Sequence, residues 1–319
     1  SLRIIPPILE ICEDIQAICP DAYVFNYSHP MQRVCHAVTT KFPDLKFIGL
    51  CHEIESMRRQ LPTLMETELS NIEFRAGGLN HFSILLDAKF KNNGKDGYPL
   101  IKKNFWNYFK DLVNDHEGFE SEPGAERGVF FKIYEDFKYL PITTDSHLGE
   151  YVQWAYSVAD HEAILHFYDN YKKKCLNFFE NDKIYSSFFD LENDRFHERF
   201  VPIAEAIIED QGIEESSVNI PNNGFIDCLP KDIVVEVPAI VDKKGIKGIA
   251  LENYPKTFGS LLNLQSGVIQ LTTQAVLEKS KHKAYLALLA DPVVASVKDA
   301  EKLLNNMITV QHKHLSYLN

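Results

Sequence analysis

The sequence predicts an α/β protein, the remaining part of a doubly wound parallel sheet over residues 1–70 followed by an α+β domain over residues 71–319. Three observations carry this reading. The first seventy residues alternate helical stretches with short apolar runs bounded by turn residues, the pattern of buried parallel strands. From Asn71 the pattern changes to β-like runs and then to helices. The chain is 45% hydrophobic over 319 residues, enough apolar material for one large core or two coupled ones.

The elements follow in order. Ile8, Ile11, Ile15 and Ile18 recur at helical spacing and predict an amphipathic helix that Pro20-Asp21 ends. Ala22 to Asn26 is a short apolar strand, and Pro30 opens a helix running to about Phe42. Lys46 to Cys51 is a second buried strand, followed by another helix. Asn71 to Phe90 reads as β-structure with a break at Gly77-Gly78. Helical stretches are expected over Phe105–Val113, Glu126–Phe137 and His161–Asn181. Gly212–Gly224 is polar and reads as a surface loop, and Ile233 to Ile240 as a strand. In the clearest of the closing helices, Leu261, Leu264, Val268, Leu271 and Ala275 form a stripe read as a core-packing face.

Charge and composition exclude several classes. The net charge is −12, from 33 basic and 45 acidic residues, which argues against a general nucleic-acid binder. No run approaches the roughly 18 apolar residues of a membrane helix. The start, Ser1 to Pro7, is not a signal peptide, and without an initiating Met it is read as lying inside a longer natural chain. The six cysteines form no C-x-x-C pair, so a reducing cytoplasm is expected.

Ligands of open α/β sheets gather at the carboxyl ends of the strands. The polar groups there are Asn26, Ser28 and His29 after one strand, and Cys51, His52 and Glu53 after the next. Thirty residues after Cys51 comes His81, in Gly77-Gly78-Leu79-Asn80-His81. A cysteine and a histidine on neighbouring strand ends can share a metal ion and leave positions open for substrate oxygens. By spacing alone, a buried cysteine and an unrelated turn histidine are the favoured reading. Asp145-Ser146-His147 with Glu150-Tyr151 suits a general acid or base, but spacing alone favours a capped helix N-terminus, and both can hold together. No Gly-rich nucleotide motif occurs in the chain.

Taken in order, several segments resemble glycoside hydrolase family 4. They are Asn26-Tyr27-Ser28-His29-Pro30-Met31, Gly49-Leu50-Cys51-His52-Glu53, Ala76 to Phe82, Asp145 to Tyr151, Asn223 to Pro230 leading into Val235-Glu236-Val237-Pro238, and Ala287 to Pro292. The resemblance implies a Rossmann-like sheet with a C-terminal domain of the lactate dehydrogenase and family 4 glycosidase type. It implies an NAD- and manganese-dependent α-glycosidase that oxidises C3, deprotonates C2, eliminates the leaving group and adds water, outside the two-carboxylate scheme of most glycosidases.

Residue by residue, the resemblance makes Cys51 and His81 metal ligands and places Asn26, His29 and Asn80 at the substrate. It gives His52 the leaving-group acid role and Asp145 the C2 base role, with Tyr151 as the alternative base. His29 departs from the asparagine usual at that place. The Cys-His-Glu form points to unphosphorylated α-glucosides, α-galactosides or α-hexuronides, with a lean to the last two. The NAD-binding half, on the order of 100 residues, is expected to precede Ser1. A homodimer or homotetramer is expected from the apolar C-terminal helices and the relatives' behaviour. A 2-hydroxy-acid dehydrogenase and a non-catalytic remnant are the competing readings.

Overall fold

A computed structural model describes residues 1–112, 122–180 and 199–318. The predicted helix ends at Val113 and Asn181 lie outside the described residues. The chain opens with α1 (Ile5–Ile18), β1 (Tyr23–Asn26), α2 (Met31–Lys41), β2 (Lys46–Gly49) and α3 (Met57–Leu64), the alternation expected. Then come β3 (Ile72–Leu79), β4 (Phe82–Phe90), α4 (Tyr98–Asp111), α5 (Gly128–Phe137), β5 (Leu140–Pro141), the one-turn α6 (Asp145–Leu148) and α7 (His161–Glu180). The described chain closes with α8 (Phe200–Glu209), β6 (Ile213–Pro221), β7 (Val234–Asp242), β8 (Gly245–Gly248) and four helices, of which the longest is α9 (Lys256–Leu277).

Eight strands form one sheet in the order β1-β2-β6-β7-β3-β4-β5, with β8 beside β7. Only β1 and β2 run parallel, from Tyr23 opposite Lys46 to Asn26 opposite Gly49. Every other pairing is antiparallel. The doubly wound part is therefore one parallel pair, grafted onto an antiparallel sheet through Gly49 and Asn219. The sheet thus continues across the 70/71 boundary.

Alternation along β2 sorts the core. Phe47 packs with Ile5, Leu9, Val34 and Val38 of α1 and α2 on one face. Ile48 packs with Ile203 and Ala206 of α8 on the other. A larger core joins β3 and β4 to α3, α4, α5 and α9 through Leu61, Ile84, Phe105, Phe130 and Phe258. No described helix is long and apolar enough to cross a membrane.

Four expectations change. Gly212–Gly224 is not a surface loop: its residues Ile213–Pro221 form β6, an interior strand, and Glu215, Ser217, Val218 and Asn219 are buried. Gly77 and Gly78 do not break β3. They lie within it, where a Cβ on Gly77 would stand 2.5 Å from the Glu236 carbonyl oxygen. The apolar stripe of α9 holds at Val268 and Ala275, which are buried, but not at Leu264, which is 57% exposed; Phe258, Leu262, Gln265, Ile269 and Thr272 complete the inward face. In α1, Ile11 and Ile18 point outward, while Ile5, Leu9 and Cys12 are buried.

The turn after β6 is tied by Asn222, which is fully buried. Its amide donates to the carbonyls of Ile226, Leu229 and Pro230 at 2.9–3.0 Å and accepts from Ile226 N–H at 2.7 Å. Asn222→Ala strands these groups away from water. Urea unfolding should show a loss of about 3 kcal/mol, since each orphaned buried group costs about 1–3 kcal/mol; a loss below about 1 kcal/mol would contradict this role.

Candidate active site

Three strand ends meet at one opening. β1 ends in Asn26, whose amide donates to the Ser28 carbonyl at 3.0 Å and accepts from Ser28 N–H at 3.2 Å. This folds the turn that carries His29. β2 ends at Gly49, where a Cβ would stand 2.5 Å from Met31 Sδ, so the strand packs closely on α2 and delivers Leu50 and Cys51 just beyond. β3 and β4 are joined by the two-residue loop Asn80-His81, with Leu79 opposite Phe82. His81 has φ 60°, in the left-handed region where a side chain costs roughly 1–2 kcal/mol. Such strain persists only where the surroundings hold it.

The surroundings do hold it. Tyr151 Oη donates to the Asn80 carbonyl at 3.0 Å, and its ring stacks on Phe82 at 4.7 Å. Thr143 Oγ1 donates to the His81 carbonyl at 3.1 Å. Asn80 Nδ2 donates to Glu236 Oε1 at 2.9 Å. His81 Nε2 is thereby set 3.5 Å from Cys51 Sγ.

Around this pair the opening holds a cavity of about 270 Å³ lined by His29, His52, Glu53, Glu126, Thr144, Ser146, His147 and, from α7, Phe167, Tyr168 and Tyr171. The His81 ring stacks between those of His29, at 4.8 Å, and His147, at 4.2 Å. Burial first, then His147, His29 and His52, pushes His81 down to about 2, so its imidazole is neutral and keeps a lone pair. Burial pushes the Cys51 thiol up, and the carboxylates of Glu236 and Glu53 add to this. Burial also raises Glu53 to about 7. A cation beside Cys51 would reverse its penalty and hold it as thiolate. Two overlapping sets of ligand atoms stand within 4.8 Å of one another: His29, Cys51 and His81, and Glu53, His81 and His147. The donor set suits a divalent metal.

The predicted residues divide. Cys51, His81, His52 and His29 meet at the opening. Asn26 and Asn80 are 7% and 1% exposed and engage neighbouring backbone and Glu236, so they shape the turns instead of meeting a substrate. Tyr151 clamps the His81 turn. Asp145 is 1% exposed, and its carboxylate accepts from the N–H groups of Phe130 and Asp160 at 3.0 and 3.1 Å. Side chains two apart on a helical turn point to nearly opposite sides. With Asp145 turned inward, α6 presents Ser146 and His147 to the cavity. The i, i+2 spacing on a short helix carried that signal.

Comparison with known proteins fits this geometry. Residues 1–67 match the family model described as family 4 glycosyl hydrolase, and residues 76–294 match that of the family 4 glycosyl hydrolase C-terminal domain. This chain belongs to glycoside hydrolase family 4. It is 42% identical to an alpha-glucosidase of Erwinia rhapontici, over 100% of this chain and 73% of that protein. It is 28% identical to an alpha-galactosidase of Bacillus subtilis (strain 168), over 96% and 70%. A solved 6-phospho-alpha-glucosidase from gut microorganisms, in complex with NAD and Mn2+, has the same fold, with a TM-score of 0.77 at 24% identity over 98% of this chain and 72% of that one. Family membership makes the chain a glycoside hydrolase and removes the dehydrogenase reading.

Sequence reasoning passed over Glu236, which lies beneath the site, fully buried on β7. Ser83 Oγ stands 2.8 Å from Glu236 Oε2 and 2.9 Å from the Leu79 carbonyl oxygen. One hydroxyl proton cannot serve both acceptors, so a neutral Glu236 satisfies this network best. Burial likewise raises Glu236 above the usual carboxylate range. A raised native value means the folded state binds more protons than the unfolded one. The contribution of Glu236 to stability is therefore greatest below the unfolded carboxylate value and is lost as pH rises through the native one. Glu236→Gln should fold and be less destabilised on raising the pH, while Glu236→Ala should lose about 3 kcal/mol. Thermal melts across pH check this; a wild type and Glu236→Gln with the same pH dependence would contradict it.

Proposed function

We propose that this chain carries the catalytic site of an α-glycosidase acting on unphosphorylated α-glucosides, with NAD+ and a divalent metal such as Mn2+ as cofactors. The observation that carries the reading is the 3.5 Å approach of Cys51 Sγ to His81 Nε2 at the mouth of a polar cavity. The 42% identity to an alpha-glucosidase supports the substrate. No Lys or Arg lines the cavity among the described residues, so a sugar phosphate or a uronate would meet no fixed cation there. Burial, with the charge of His52, also lowers His29 below the usual histidine range, which removes it as a counter-charge for a uronate. The lean toward hexuronides therefore gives way to neutral glycosides, and the 42% identity puts glucosides ahead of galactosides.

Cys51 and His81 would hold the metal. When bound, NAD+ would accept the C3 hydride, and the metal would stabilise negative charge on the neighbouring sugar oxygens. His147, on α6 beside His81, would take the C2 proton, while Asp145 braces the neighbouring backbone through the N–H groups of Phe130 and Asp160. His52, next to Cys51, is placed to give a proton to the departing aglycone oxygen. Thr144 Oγ1 donates to Glu126 Oε2 at 2.9 Å, fixing a polar wall for sugar hydroxyls. Tyr168 and Tyr171 also line the cavity.

The test is hydrolysis of 4-nitrophenyl α-glucoside, α-galactoside and α-hexuronide, and their β-anomers, by the full-length natural protein. Cleavage of the α-glucoside should require NAD+ and metal, stop with a chelator, slow with deuterium at C2, and fall at least a hundredfold in His147→Asn, the lower end of what one acid–base group contributes, roughly 10²–10⁴. Cleavage that ignores both NAD+ and chelator would contradict the mechanism.

A further inference from the structure

The metal position suggested above has more protein around it than two ligands. His29, Cys51 and His81 arrive from three different strand ends: the turn after β1, the segment after β2 and the β3–β4 loop. One ligand atom of each lies within 4.8 Å of the other two. With bonds of about 2.0–2.3 Å to one ion, neighbouring donors sit roughly 3–4 Å apart, so small side-chain rotations close this triangle. The ring nitrogens of His29 have no hydrogen-bond partner among the described residues, and its ring contact there is the stack on His81. The turn beneath it is fixed by Asn26, so the ring is aimed while its donors remain unused.

We propose that His29 is a third protein ligand, making a Cys51–His29–His81 centre; this rests on the metal-dependent reading above. The competing set of Glu53, His81 and His147 does not include the sulfur that stands 3.5 Å from His81 Nε2, and it takes His147 away from its proposed proton. A thiolate with two imidazoles is a softer donor set than one thiolate and one imidazole completed by oxygens. It shifts preference toward ions such as Co2+ and Zn2+ and away from Mn2+. It also leaves fewer positions for sugar oxygens, so this centre would grip a substrate through one or two of them.

The test uses Co2+ alone as the probe, added to metal-free full-length protein and followed by visible absorption and calorimetry. The wild type should show a thiolate-to-cobalt band and the intense ligand-field bands of low coordination number. In His29→Asn and His29→Ala, the thiolate band should remain. Their ligand-field bands should weaken and move, and Co2+ affinity should fall by about tenfold or more, at least the scale on which outer partners of metal sites act. Cys51→Ser should lose the thiolate band, and His147→Asn should keep the wild-type spectrum. Circular dichroism shows which variants are folded, and either His29 variant suffices.

Wild-type spectrum and affinity in a folded His29 variant would overturn the assignment, as would a spectrum that moves with His147 instead. A wild type that binds no Co2+ would overturn both this assignment and the metal-dependent mechanism. Co2+ binding that weakens in the His29 variants without any glycoside cleavage would support the ligand assignment and remove only the proposed activity.

Discussion

The site depends on one buried polar junction, the Glu236 carboxyl held by Asn80, Ser83 and Asn219. Glu236 stands on β7, Asn80 on the β3–β4 loop, Ser83 on β4 and Asn219 on β6. Asn219 also reaches the Gly49 carbonyl at 3.5 Å and accepts from Gln32 of α2 at 3.3 Å. A single cluster therefore locks the parallel pair to the antiparallel sheet, where their backbones meet only at Gly49 and Asn219. Cys51 belongs to one part and His81 to the other. Beside the junction, the seam is held by the His36–Asp232 contact and by apolar packing of Phe47 and Ile48. Apolar packing alone would leave the register free to slide, because it is non-directional.

Directionality is costly, and the costs collect here. A left-handed His81 set against the rings of His29 and His147, a half-buried Cys51 thiol and the buried Glu236 carboxyl all oppose folding. Three groups so placed are hard to explain as packing, since aliphatic side chains would fill the volume more favourably. A cation offsets several terms together: it holds the thiolate, uses the neutral imidazole lone pair and screens the carboxylates. The geometry is that of a site completed by its ligand, which links the strain in the hairpin to the proposed chemistry.

The alternation of helix and strand up to Leu64 was legible because each strand is a short apolar run closed by turn residues. The approach of Cys51 to His81 was legible for a related reason: both stand where strands end. β6 was not, because its buried positions are polar. Glu215 is 2% exposed but paired with Arg199 at 2.7 and 2.9 Å, and Asn219 and Asn222 are fully buried in hydrogen bonds. Hydropathy reads such residues as surface. Leu264 misled in the opposite sense: its spacing fits the stripe, but the inward face of α9 is set by Gln265, Ser266 and Thr272, which a hydropathy pattern discounts. Asp145 and His147 were seen as one cluster. Only the direction of the short helix separates the residue that braces the loop from the one that faces the cavity.

The most direct test of the account is X-ray absorption at the metal edge of the manganese-loaded full-length protein. The account predicts one sulfur scatterer, from Cys51, together with imidazole scattering that includes His81, and loss of the sulfur contribution in Cys51→Ser. A first shell of oxygens alone, unchanged by that substitution, would place the metal elsewhere and contradict the central claim.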